Sequence, residues 1–189
     1  ALMPIPLRFS GAHTHRLSGD WKLNMQNLPV RKGNLIRSAL TAPPGSKVVA
    51  IDSSQIEARL VAWLCGARDL LEQFANKLDP YSIFASFVFG RTITKADKSE
   101  RFLGKTSILG MGFGVGWKKF QNTVKVSSLE QTGTQIILTD EEANRFVNTY
   151  RNVNHQVPTT WRILNENIRI LAGGHGNFSI GPCSFHHGR

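Results

Sequence analysis

The chain holds 189 residues, 41% hydrophobic and 19% charged, which suits one domain or two small subdomains sharing a core and excludes a disordered tract. Lys and Arg outnumber Asp and Glu by 23 to 13, a formal charge of +10; this favours a polyanionic partner, although a generally basic, solvated surface gives the same excess. Only Cys65 and Cys183 are present, so no disulfide framework organises the fold, and Cys65 reads as a buried thiol in an apolar helix. No apolar run is long enough to cross a bilayer, and Pro4, Pro6 and Arg8 break up any secretory signal, so a soluble, cytoplasmic protein is expected.

Residues 7–30 show little periodicity and many polar groups, and read as extended or looping chain. The turn signal APPGS at 42–46 feeds 47–52 (KVVAID), a short β-branched apolar run that suits a buried strand. Ser53 and Ser54 offer N-cap chemistry for a helix over 55–64 that Gly66 ends. Residues 68–77 read as a second, amphipathic helix. Asp79-Pro80 opens a third through 81–88, stopped by Gly90. A fourth begins at 94–97 and runs to about Leu109, and 117–124 is helical. The polar stretch 127–135 reads as a connection, either loop or small hairpin. Thr139 and Glu142 form a capping box for a helix to about Tyr150, and 158–171 gives one more before a Gly- and His-rich end. The fold class is therefore α+β and mostly helical, with one clear strand and strand-like pieces at both ends. A lone strand needs sheet partners from the chain ends or from outside this sequence.

Two constellations carry chemistry. Asp52 ends the apolar run, where an acid is lifted clear of the core yet rigidly held; that suits a hard cation such as magnesium, or a simple helix cap. Arg101, Lys105 and Leu109 recur every four residues on one helix face, and two long cations in line repel unless they share an anion such as a triphosphate. The glycines of 110–116 then let a backbone or flat base approach, with Phe113 as a stacking face. Neither a G-x-G-x-x-G loop after a strand nor a Walker loop fits this run.

The stretch Asp52-Ser53-Ser54-Gln55-Ile56-Glu57-Ala58-Arg59 resembles the first carboxylate motif of family A DNA polymerases, D-Y-S-Q-I-E-x-R. The segment from Arg101 through Lys105 and Leu109-Gly110 to Phe113-Gly114 resembles that family's nucleotide-binding helix, R-x-x-x-K-x-x-x-[FY]-G-x-x-[YF]-G. Upstream, Thr14-His15-Arg16-Leu17-Ser18 and Asn24-Met25-Gln26-Asn27-Leu28-Pro29 look like T-G-R-L-S and N-L-Q-N-I-P with altered spacing. The wording DPYSIFA and AWLCG is most like bacteriophage or prophage members.

The resemblance implies a partial palm with the primer-contacting segment and first carboxylate over 1–65, helical fingers over 66–172, and the start of the return to palm over 173–189. It implies a template-directed DNA polymerase adding deoxynucleotides to a primer 3′ end, with two magnesium ions; Asp52 and the Ser53 carbonyl would be metal ligands. Arg101 and Lys105 would grip the incoming triphosphate, and Lys105 would give a proton to the departing pyrophosphate. Gln55 and Glu57 would line the sugar pocket, Tyr81 would stand where the family often has a phosphate-contacting His, and Phe113 would stack near the templating base. Arg16, Asn24, Gln26 and Asn27 would contact primer–template DNA, donors suiting the acceptors that every base pair shows in the minor groove.

Three departures matter. Ser53 replaces the usual Tyr, and Leu109 replaces an aromatic residue beside the incoming sugar, which predicts altered discrimination against dideoxynucleotides. The family's second carboxylate motif, His-Asp-Glu, is absent from these residues. One carboxylate cannot readily hold two divalent ions, so the expectation is a palm–fingers portion with little or no activity by itself. The competing reading is a basic nucleic-acid-binding module without chemistry. A zinc site from His13, His15, Cys183, His186 and His187 lacks standard spacing, and no residue pattern points to a processivity partner.

Overall fold

A computed structural model of the chain describes residues 3–28, 35–49, 51 and 53–187. The chain divides into two compact units, Ala1–Asp52 and Ser53–Arg189. In the first, β1 (Leu7–Arg8) pairs antiparallel with β2 (Ser18–Gly19), Leu7 facing Gly19 and Arg8 facing Ser18. A single 3-10 turn over Met25–Asn27 follows, begun by the Asn24 side chain, which accepts from the Gln26 amide at 3.1 Å. The rest of the described segment to Leu28 is turns and extended chain, as expected from its lack of periodicity.

The buried strand expected at 47–52 is not formed among the described residues. Val48, Val49 and Ile51 are 70%, 76% and 92% exposed, and the described residues of the run carry no strand pairing. The residue pattern is that of a strand, but a strand exists only in a ladder, and no described segment supplies one.

The second unit is helical: α1 (Ile56–Cys65), α2 (Arg68–Ala75), α3 (Pro80–Phe89), α4 (Lys98–Met111), α5 (Trp117–Thr132), α6 (Asp140–Val153) and α7 (Gln156–Ala172). A hairpin closes it, β3 (Asn177–Ile180) against β4 (Cys183–His186), with Phe178 and Phe185 stacked 4.6 Å apart. Glycines end the helices as their left-handed φ requires, Gly66 at 66° after α1 and Gly90 at 65° after α3. The capping box of α6 is complete: the Glu142 amide donates to Thr139 Oγ1 at 3.2 Å, and the Thr139 amide donates to Glu142 Oε2 at 2.8 Å.

Two helix ends differ from the sequence reading. Neither Ser53 nor Ser54 caps α1; Gln55 stands there at φ 57° and ψ 30°, and Arg59 donates from Nε to the Ser54 carbonyl at 3.0 Å. The expected polar connection at 127–135 is helix as far as Thr132. Its hydroxyls bond back one turn, Thr123 to the Lys119 carbonyl, Ser127 to that of Thr123, and Thr132 to that of Ser128. Phe120, Val124 and Ser128 make one buried stripe, in which fully buried Ser128 accepts the Ile136 amide at 2.8 Å. A serine thus holds a core position that composition alone reads as loop.

The core gathers Phe74, Phe84, Phe102, Phe120, Phe146 and Tyr150 with aliphatic neighbours. Cys65 lies among them as expected; burial pushes its thiol up, opposed by a Thr160 hydrogen bond. Helices α3 and α4 approach each other closely. At Gly104 a Cβ would overlap the Tyr81 carbonyl oxygen, so only glycine lets the chain pass there. Among the described residues no helix is long and apolar enough to cross a membrane.

Candidate functional site

Helix α4 turns Phe102, Leu103, Ile108 and Met111 into the core, which leaves Arg101, Lys105 and Leu109 on the half-exposed side. The four-residue spacing places these three in line, as the sequence predicts. Lys105 and Leu109 line a cavity of about 390 Å³ together with Glu57 from α1, Gly110 and Phe113 beyond them, and Phe120, Thr123, Ser127 and Gln131 of α5. Four residues predicted for nucleotide binding thus share one wall.

A second, open cleft of about 220 Å³ adjoins it. Its lining is Lys95, Lys98, Arg101, Phe102, Lys105 and Gln131, so Lys105 and Gln131 belong to both. The α4 face therefore runs from an apolar, aromatic-edged hollow into a cationic one.

Arg101 is held from α3. Its Nε donates to Asp79 Oδ2 at 2.6 Å and its Nη2 to Oδ1 at 3.3 Å, a forked pair that does not use Nη1. Ser82 Oγ donates to the same Asp79 Oδ2 at 2.8 Å. Burial by itself would raise the Asp79 carboxyl, but hydrogen bonds from Arg101 and Ser82 and the Arg101 charge outweigh it and hold it below the usual carboxylate range. The guanidinium also lies over the Tyr81 ring, 5.5 Å from its centroid. Burial pushes the Tyr81 phenol up, partly offset by a hydrogen bond with Gln55 and by the Arg101 charge. Tyr81 and Arg101 are thereby joined, and Gln55 near them carries the left-handed backbone noted above, a conformation that costs a non-glycine residue about 1–2 kcal/mol.

Other predicted residues stand apart. Asp52, the expected metal ligand, lies outside the described residues; Ser53 is exposed at the start of the second unit. Arg16, Asn24, Gln26 and Asn27 are exposed in the first unit. Among the described residues no three His, Cys, Asp or Glu side chains gather as a metal site. Asp79 entered the sequence reading only as a helix start, and Lys95, Lys98 and Gln131 not at all. Helical periodicity gives a signal for Lys98, three residues before Arg101; Gln131 was hidden in a segment read as connection.

Residues 7–169 match the family model described as DNA polymerase family A. DNA polymerase I of Chloroflexus aurantiacus is 42% identical over 107 residues, 56% of this chain and 11% of that protein. DNA polymerase I of Caldicellulosiruptor bescii is 28% identical over 164 residues, covering 86% of this chain and 18% of the relative. The DNA polymerase of Escherichia phage T5 is 32% identical over 162 residues, 75% of this chain and 19% of its own length. The chain thus spans only about a tenth to a fifth of these relatives. With the match extending through both motif regions and across most of the chain, this protein belongs to DNA polymerase family A.

Proposed function

We propose that this chain supplies the nucleotide-gripping portion of a template-directed DNA polymerase. The observation that carries the reading is the shared wall of Glu57, Lys105, Leu109 and Phe113, continuous through Lys105 with the cationic cleft at Arg101. A deoxynucleoside fits the first hollow and its triphosphate the second. Glu57 and Gln55 would face the sugar, Leu109 would pack beside it, and Phe113 would stack near the templating base. Arg101, steadied by Asp79 and Tyr81, offers its remaining guanidinium edge to phosphate, while Lys105 Nζ neutralises the chain of phosphates and can give a proton to the departing pyrophosphate. In this division 1–65 is palm portion with the DNA-contacting residues Arg16, Asn24, Gln26 and Asn27, 66–172 is fingers, and 173–189 returns toward the palm. The work is cytoplasmic, where the primer–template DNA and deoxynucleotides are.

The magnesium ions that family membership suggests would activate the primer hydroxyl and screen the phosphoryl charge. Asp52 and the Ser53 peptide oxygen are hard donors of the right kind, but too few for two ions, and the described residues gather no further ligand cluster. These residues alone are therefore expected to bind nucleotide and DNA with little or no primer extension.

The test is titration of a matched deoxynucleotide and a primer–template into the chain and its Arg101→Gln and Lys105→Gln variants, followed by magnesium-dependent extension. Each variant should weaken nucleotide binding about tenfold or more, the scale of a lost charge-assisted contact. Salt-sensitive DNA binding with nucleotide affinity untouched by either variant would favour a basic nucleic-acid-binding module instead.

A further inference from the structure

The cationic cleft is longer than a two-residue grip needs. Lys98, Arg101 and Lys105 follow one another along α4 over about 10 Å of helix, and Lys95 extends the same wall beyond its start. The acids nearby are already engaged. Asp97 and Glu100 pair with Arg91 at 3.1 and 2.6 Å, and Asp79 pairs with Arg101. No acidic side chain lines the cleft, and among the described residues Lys95, Lys98 and Lys105 form no ion pair. Arg101 already carries the Asp79 counter-charge; the three lysines left around one concavity repel one another, which an anion of several charges between them relieves. The amide of Gln131, from α5, adds a neutral donor to the lining.

The cleft also has a direction. Its Lys105 end opens on the hollow with Leu109 and Phe113, and its far end is Lys98 and Lys95. We infer that Lys95 and Lys98 form an oligophosphate subsite that takes the terminal phosphates of the incoming nucleotide and holds the pyrophosphate after it separates. The inference rests on the nucleotide reading above, which orients the ligand with its base at the apolar end. When the primer oxygen bonds to the α-phosphorus, the bond from that phosphorus to the bridging oxygen breaks and its electron pair leaves with pyrophosphate. The group leaving is therefore the one at the Lys98 end. A lysine is apt there, because a mobile, hydrated ammonium binds a departing anion without the fixed geometry of a guanidinium fork.

Inorganic tripolyphosphate, pyrophosphate, a deoxynucleoside monophosphate and a single-stranded DNA oligonucleotide are titrated calorimetrically into the 189-residue chain, the Lys95→Gln/Lys98→Gln double variant and Arg101→Gln. The double variant should bind tripolyphosphate and pyrophosphate about tenfold more weakly at moderate salt, with the monophosphate changed less than about twofold. Both lysines are exposed, so folding should be unaffected, and a superimposable melting curve confirms it. Equal tripolyphosphate affinity in the double variant and the parent, with Arg101→Gln impaired, overturns the subsite and leaves the nucleotide reading standing. If neither variant changes the binding, both readings fail. If the double variant loses affinity only for single-stranded DNA, the lysines serve a nucleic-acid backbone and the inference is overturned.

Discussion

Gly104 is the position where the fold and the nucleotide face depend on one atom. It lies between Arg101 and Lys105 on α4, against the residue of α3 whose ring supports Arg101. In Gly104→Ala two effects oppose each other. Alanine in a helix interior gains about 0.5–1 kcal/mol over glycine through lower backbone entropy in the unfolded chain. Against that, the new methyl would overlap the Tyr81 carbonyl oxygen and come within 3.2 Å of the Ala85 Cβ. The obstructing atom is backbone and cannot swing aside, so α3 and α4 must separate, at a cost of about 1–3 kcal/mol and sometimes more. The overlap should win, with a net loss of about 1–2 kcal/mol and a melting temperature lower by about 2–8 °C for a chain of this size. Gly110→Ala is the internal control, because there a Cβ meets only Val115 at 3.7 Å, an ordinary contact. Thermal and urea unfolding of both variants measures the difference. A Gly104→Ala protein more stable than its parent would refute the close approach of the two helices and, with it, the support of Arg101 from α3.

Asp79→Asn should destabilise the fold by about 1–3 kcal/mol near neutral pH, the worth of a charge-assisted hydrogen-bond pair. Because the Asp79 carboxyl is held below its ordinary value, its contribution is present above the unfolded pKa of about 4 and is lost as pH falls through the folded value. The stability curves of parent and variant should therefore converge in acid; a constant gap down to the lowest pH would contradict the pairing. Thr139→Ala removes one half of the α6 capping box and should cost about 1 kcal/mol, read by chemical denaturation, whereas an unchanged midpoint would mean the box is energetically idle. In an intact polymerase carrying this fingers sequence, Leu109→Phe should change the ratio of dideoxy- to deoxynucleotide incorporation. Equal ratios measured by single-nucleotide extension would show that this side chain does not sense the sugar.

The helices were legible where their signals are local. Gly66 and Gly90 stop α1 and α3, Pro80 opens α3, and Thr139 with Glu142 starts α6, all relations spanning a few residues. The alignment of Arg101, Lys105 and Leu109 follows from helical spacing alone, and the motifs around them already suggested the family. Local pattern failed where a partner elsewhere in the chain decides the state. The apolar run 47–52 has the composition of a strand but no ladder among the described residues, and the hydroxyl-rich 127–132 is helix because Ser128 is buried against the core. The Asp79–Arg101 fork joins residues 22 apart, and Gln131 reaches the Lys105 cleft from a separate helix. By itself the sequence determined where most of the helices start and stop and that Arg101 and Lys105 share a face. Only tertiary packing decided which carboxylate steadies Arg101 and which helix closes the cleft, because those contacts depend on how helices cross, a relation that no run of neighbouring residues encodes.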